Sequence, residues 1–193
     1  MNFASNFCSK KCNNLNNSNI KNSMMKSAYC IIILSLMMTL KLNAQNLQGK
    51  NWTARKVENT YVVSIADKSG IVDALTDFVV SQKIKAGQIV GLGAANEATL
   101  RFFNPETKKY VDKTFREQLE ITNLTGNISE VENKPVLHLH ITLGRDDYTA
   151  LAGHLLDAKI RGAAEFFVYP VDSRIVKTKN EEVGLNFYDF EKE

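Results

Sequence analysis

The sequence predicts an α+β domain built on a largely antiparallel sheet. Segments in which apolar and polar residues alternate recur along most of the chain after residue 45 and are separated by short turns, as antiparallel strands require. One helical pattern interrupts them early, directly after Ser69, which can cap a helix. Its apolar residues share a spacing of three or four positions: Ile71, Val72, Leu75, Phe78 and Val79. Since no repeat or flexible linker divides residues 45–193, we expect a single domain there.

The strands follow from alternation and from the turns between them. In chain order we predict strands at 52–57, 61–66, 88–94, 96–103, 109–115, 117–124, 135–143, 163–169 and 185–190. The segment 104–108, which contains Pro105, predicts the turn of a hairpin. The segment 148–161 is ambiguous, because its composition suits a helix while Gly153 predicts a bend. We favour a turn and a short strand there.

The first 44 residues have the pattern of a leader. Residues 1–23 are rich in Asn and Ser and predict an untranslated or disordered segment. Residues 24–44 have a short basic start, an apolar run of about ten residues and Ala44 at a cleavage position, which is typical of a signal peptide. A membrane anchor is the alternative, but a bilayer requires about 20 apolar residues. We therefore expect export, to a bacterial periplasm.

Removing this leader changes the charge and the cysteine content. Residues 1–44 hold five of the 24 basic residues and none of the 21 acidic ones, so the net charge falls from +3 to −2. All three cysteines, Cys8, Cys12 and Cys30, lie in the same segment. The remaining domain therefore has neither a disulfide nor a thiolate metal site.

The histidines are the most informative residues of the domain. All three lie within 17 positions, at His138, His140 and His154. In the strand 135–143, successive side chains point to opposite faces. One face is an unbroken apolar row that must meet the core: Leu137, Leu139, Ile141 and Leu143. His138 and His140 therefore stand side by side on the other face.

Three neighbouring imidazoles predict a divalent transition metal, namely zinc, iron or nickel, with at least one open coordination position. Asp157 and Glu165 are the nearest acidic candidates for orienting a ligand or acting as a base. For each of them an ordinary surface carboxylate is the alternative. A second alternative is a metal-free module whose histidines line a ligand or partner surface. Catalysis stays open, because no His-Glu-x-x-His pattern supplies a neighbouring base.

Two other functions are poorly supported. Gly91-Leu-Gly93 departs from a dinucleotide-binding loop, since Asn96 stands where the third glycine belongs. DNA binding requires clustered Lys and Arg, but the domain is slightly acidic and its basic stretches, 108–109 and 174–179, are short.

Several short motifs follow one another in a fixed order. They are Gly91-Leu-Gly-Ala94, Leu119-Glu-Ile-Thr-Asn-Leu-Thr-Gly126, Asn127-Ile-Ser129, His138-Leu-His-Ile-Thr-Leu-Gly144, Gly153-His-Leu155 and Glu165. Together they resemble the plant and prokaryote conserved (PPC) domain in its bacterial stand-alone form. The resemblance implies an antiparallel α+β domain with flanking helices that assembles as a homotrimer, and a metal or small-ligand site at the histidines. Plant members follow an AT-hook that engages DNA. That hook is missing here, so the DNA-binding label of the family is the least favoured function.

Overall fold

A computed structural model of the chain describes residues 46–192. The predicted leader at 1–23 and signal peptide at 24–44 lie outside the described residues and stay predictions. Within residues 46–192, no helix combines the length and the apolar character that crossing a membrane requires.

Ten strands and one helix make up the described part of the chain. They are β1 (Asn46–Gln48), β2 (Trp52–Val57), β3 (Thr60–Ile65), α1 (Ile71–Ser81), β4 (Gly87–Asn104), β5 (Lys109–Phe115), β6 (Leu119–Val131), β7 (Lys134–Gly144), β8 (Ala150–Pro170), β9 (Lys177–Asn180) and β10 (Leu185–Tyr188).

Eight of the strands form one antiparallel sheet in the order β1-β2-β3-β8-β7-β6-β4-β5. β8 also pairs with β4, so β8, β7, β6 and β4 close into a ring of hydrogen-bonded strands. β9 and β10 form a separate hairpin. The predicted antiparallel α+β architecture is confirmed. The plural flanking helices are not, because residues 46–192 contain the single helix α1.

Helix α1 buries its apolar stripe against the sheet, as its spacing predicts. The ring of Phe78 is fully buried and meets Trp52 and Tyr61 edge-on, at centroid distances of 5.1 and 5.2 Å. Such edge-to-face contacts add to the burial of a large apolar surface. The buried residues of the helix are Ile71, Ala74, Leu75, Phe78 and Val79.

The start of this helix differs from the prediction. Gly70 is the N-cap residue, and no side chain at that position bonds to the helix, so the predicted cap at Ser69 is wrong. The backbone N–H of Val72 instead donates to the Asp157 carboxylate of β8, at 3.1 Å. A distant strand thus satisfies one of the unpaired amides of the first helical turn.

Two strands, β4 and β6, are longer than their sequence patterns predict. The predicted segments 88–94 and 96–103 are both parts of β4, and the predicted segment 117–124 overlaps β6, which begins at Leu119 and continues through Gly126 to Val131. Register shifts between Gly91 and Gly93, and between Gly93 and Ala95, let β4 follow its neighbours without a break. Bulges of this kind interrupt the alternation of apolar and polar residues, so the sequence pattern at each bulge resembles the end of a strand.

The predicted bend at Gly153 is also wrong. Gly153 pairs with Ile141 in a regular ladder inside β8, and its φ is not positive. The strand that we favoured in 148–161 is present but far longer than predicted, because the whole segment from Ala150 to Pro170 is one strand and the alternative helix does not form there. Two short strands, β1 and β9, carry no alternating apolar pattern and were not predicted.

Gly126 permits the closest backbone approach beside the histidines. A Cβ at this position would lie 2.1 Å from the His138 carbonyl oxygen and 2.6 Å from the Leu139 side chain. A Cβ at Gly153 would meet nothing nearer than Leu100, at 3.8 Å. Gly126 and Gly153 therefore differ sharply in their tolerance of a methyl group.

We expect Gly126→Ala to lower the free energy of unfolding by about 1–3 kcal/mol, because β6 and β7 must separate to admit the methyl group. Gly153→Ala is the matched control, and we expect it to change stability by less than about 1 kcal/mol. Urea unfolding of both variants measures the difference. Equal destabilisation of the two would contradict the close approach at Gly126.

Candidate metal centre

Strand β7 presents two imidazoles on the face opposite the core. Leu139, Ile141 and Leu143 are buried on one side, as the alternation predicts. His138 and His140 point away from them and are not buried. The two rings lie with their centroids 5.2 Å apart.

The register of β7 with β8 supplies the third imidazole. His140 is the direct cross-strand partner of His154, so the two side chains project on the same face. The His154 ring lies 5.0 Å from that of His138 and 5.4 Å from that of His140. Strand pairing, and not a bend at Gly153, therefore brings His154 to the other two.

The donor atoms fit a metal ion. One nitrogen of each ring can be chosen so that all three lie within 4.8 Å of one another. A tetrahedral ion about 2.1 Å from each nitrogen would separate them by about 3.4 Å. Rotation of the exposed His140 ring and of the half-buried His138 and His154 rings about their side-chain torsions closes that difference. The rings keep one side open to solvent, which leaves room for a further ligand.

The environment of His138 and His154 favours the neutral form of both imidazoles. Partial burial lowers the pKa of His154 to about 4, and the neighbouring His138 and His140 act in the same direction. Burial also lowers the pKa of His138, with smaller contributions from Lys177 and His140. Because a metal ligand must offer a free lone pair, a neutral imidazole binds a cation without first losing a proton.

Cationic residues flank the cluster on two sides, and the sequence analysis missed both. Arg101 is the cross-strand partner of His154, and its guanidinium makes two hydrogen bonds to Asp112, at 2.7 and 2.8 Å. Lys177 donates to Asn127, the cross-strand partner of His138. No local pattern could reveal these neighbours, because they come from separate strands.

The acidic candidates lie elsewhere. The Asp157 carboxylate bonds to the helix amide of Val72, and its burial raises its pKa. Glu165 is an exposed residue of β8, paired with Ser64 on β3 and with Leu92 on β4. In residues 46–192, the converging group consists of the three histidines, without Asp157 or Glu165.

Comparison with known proteins defines the class of this domain. The Plants and Prokaryotes Conserved (PCC) domain matches residues 53–172, and the chain belongs to this family. A crystal structure from Bacteroides thetaiotaomicron, provisionally described as a DNA-binding protein, is 55% identical. The match covers 74% of this chain and 100% of that one, with a TM-score of 0.73.

Two further solved structures share the fold. A metal-containing protein from Archaeoglobus fulgidus is 30% identical over 69% of this chain and 94% of that one, with a TM-score of 0.64. A plant- and prokaryote-conserved protein from Pyrococcus horikoshii has a TM-score of 0.63 at 21% identity, over 74% and 97% of the two chains. The latter likeness concerns the fold alone. The comparison with curated proteins gives no match.

Substitutions of Asp157 test whether its carboxylate caps helix α1 or orients the histidines. We expect Asp157→Ala to lower the free energy of unfolding by about 1 kcal/mol through loss of the helix cap. Asp157→Asn keeps an acceptor oxygen for Val72 and is expected to retain most of that stability.

Thermal unfolding of the metal-free protein measures stability, and a zinc titration measures affinity. Neither variant should change zinc affinity by more than about threefold, well below the 10–100-fold losses typical of residues that orient metal ligands. A larger loss of affinity in both variants would contradict a purely structural role of Asp157.

Proposed function

We propose that this PPC-domain protein binds a divalent transition metal ion through His138, His140 and His154. The observation that carries the proposal is the convergence of one nitrogen from each of the three imidazoles within 4.8 Å on an open face of the sheet. Three neutral nitrogen donors suit zinc, iron or nickel better than magnesium or calcium, which prefer oxygen. The metal-containing relative from Archaeoglobus fulgidus supports the same assignment.

Three protein ligands leave a coordination position for an exchangeable ligand. Such a position allows a bound ion to polarise a small molecule when one is present. The residues of this chain supply the imidazoles that hold the ion and the backbone ladder that keeps their spacing. We assign no reaction, because no acidic side chain joins the converging group in residues 46–192.

We further propose that the protein assembles as the homotrimer that the PPC resemblance implies. The outer face of the sheet carries a cross-strand row of His140, Thr125, Val90, Phe167 and Val62. Phe167 is 44% exposed and stacks on the exposed Tyr169, with ring centroids 6.2 Å apart. Leu92, 57% exposed, lies on the same face. An apolar face of this kind is suited to burial against further copies.

DNA binding is the second candidate, and the provisional description of the Bacteroides relative favours it. The charge of this chain opposes it, because residues 45–193 carry a net charge of −2. A salt-sensitive mobility shift of duplex DNA at about 150 mM salt would support the DNA-binding function.

We also propose export to a periplasm, which rests on the signal-peptide pattern of residues 24–44. The N-terminal sequence of the mature protein isolated from its host tests this proposal.

Replacing any one of the three histidines by alanine should weaken zinc binding at least about 100-fold. Loss of a direct ligand is expected to exceed the 10–100-fold effect of losing an orienting partner. Isothermal titration of protein purified without a histidine tag measures stoichiometry and affinity. Zinc at 100 times its Kd should also stabilise the wild-type protein by about 2.7 kcal/mol.

Thr142→Ala is the matched control, since Thr142 follows the two histidines on the same face of β7. This variant should bind zinc like the wild type. If the wild-type protein binds less than one zinc per three chains, or if the triple-alanine variant binds equally well, the metal assignment is wrong. The better interpretation is then a metal-free module in which the three histidines line a ligand or partner surface.

For the assembly, light scattering after gel filtration should give about three times the chain mass. Phe167→Lys places a charge on the outer apolar face and should release monomers. Phe187→Lys is the control, since Phe187 is similarly exposed but lies in the β9–β10 hairpin. A monomeric wild-type protein would overturn the trimer.

A further inference from the structure

Lys177 is one of two buried charged residues in the described part of the chain, the other being Glu130. Only 8% of Lys177 is exposed, although an ammonium group normally stays in water. Its Nζ donates to Asn127 Oδ1 at 3.0 Å and lies 4.7 Å from the centre of the Tyr188 ring. Burial lowers the pKa of this lysine. A buried ammonium is costly unless an anion compensates it.

The ammonium lies on the same face as the three imidazoles. Asn127 and His138 are directly opposite each other on β6 and β7, so their side chains project together. The hydrogen bond from Lys177 to Asn127 therefore brings the charge beside the cluster. The charge is close enough for Lys177 to contribute to the lowered pKa of His138.

No carboxylate compensates Lys177 among residues 46–192. The Lys177 ammonium contacts the amide oxygen of Asn127 and the ring of Tyr188, so two of its three N–H groups have no acceptor among these residues. Arg101, on the other flank, differs because Asp112 neutralises it in a bidentate pair. Lys177 is therefore the uncompensated cation of the site.

The charges sum to a strongly positive site. Three neutral imidazoles cancel none of the charge of a divalent ion, and Lys177 adds a further positive charge beside them. A partly desolvated site with excess positive charge concentrates anions of matching size. A carboxylate suits it well, since it has two acceptor oxygens and can meet two cationic groups at once.

We propose that the three-His site takes up a small carboxylate ligand and that the Lys177 ammonium pairs with it. This inference rests on the proposed metal site and adds the chemical class of its ligand. The carboxylate comes either from a free small molecule or from an acidic side chain of another copy in the assembly. The experiment below distinguishes these sources.

The test uses the full domain, residues 45–193, loaded with cobalt(II), whose visible spectrum reports on ligands at the ion. Acetate is the anionic probe, and imidazole is the neutral probe that reaches the ion without needing a cation. We expect Lys177→Gln to weaken acetate binding about 10–100-fold, the range of a charge-assisted hydrogen bond, while imidazole binding changes by less than about threefold. Lys177→Arg should recover most of the acetate affinity.

Lys179→Gln is the matched control, because Lys179 lies two residues further along β9 and its ammonium is exposed and paired with Glu181. This variant should bind acetate like the wild type. Thermal unfolding of each variant verifies that the β9–β10 hairpin is intact, and Lys177→Arg covers the case in which Lys177→Gln does not fold.

The outcomes distinguish failure of the carboxylate ligand from failure of the metal site. Normal cobalt binding with equal acetate affinity in wild type and Lys177→Gln overturns the carboxylate inference and leaves the metal site standing. Failure of the wild-type protein to bind cobalt overturns both. If acetate does not bind to the wild type and Lys177→Gln reduces the mass of the assembly, the carboxylate belongs to another copy and the free-ligand form is wrong.

Discussion

The pairing register of β7 with β8 is the constraint on which the candidate site depends. Side chains alternate with period two along both strands, so His140 meets His154 on one face while the neighbouring Ile141 faces the core. A slip of β7 by one residue would turn His138 and His140 inward, away from His154, and disperse the cluster. The buried Leu139, Ile141 and Leu143 oppose that slip, because it would expose three large apolar side chains. Core packing on one face thus maintains the ligand geometry on the other.

The sheet holds the three histidines in place, and a separate hairpin supplies the positive charge of Lys177. β8 pairs with β7 at one end and with β4 along the rest, which closes the ring of strands and limits independent movement of His154. The separate β9–β10 hairpin then brings Lys177 to the neighbour of His138. The imidazole nitrogens and the Lys177 ammonium therefore come from separate parts of the chain. A change in the hairpin can alter the charge of the site without disturbing the imidazoles.

The core and the histidine face of this fold were predictable from the sequence because both follow from alternation within one strand. The apolar spacing of α1 likewise identified its buried side. The bulges of β4 and the unbroken length of β8 were not predictable, since the register with a partner strand determines both. Asp157 was assigned to the histidines by proximity in sequence, but its carboxylate lies at the start of α1. Lys177 was missed for the opposite reason, as it lies 39 positions after His138 in the sequence.

X-ray absorption spectroscopy of the zinc-loaded protein tests the central claim most directly. For protein purified without a histidine tag, we expect about one ion per chain, with nearest neighbours at about 2.0–2.1 Å and the outer-shell scattering of three imidazole rings. The triple-alanine variant should lose both the ion and that signature. A wild-type spectrum in which oxygen ligands surround zinc without imidazole scattering would show that the histidines do not hold the ion.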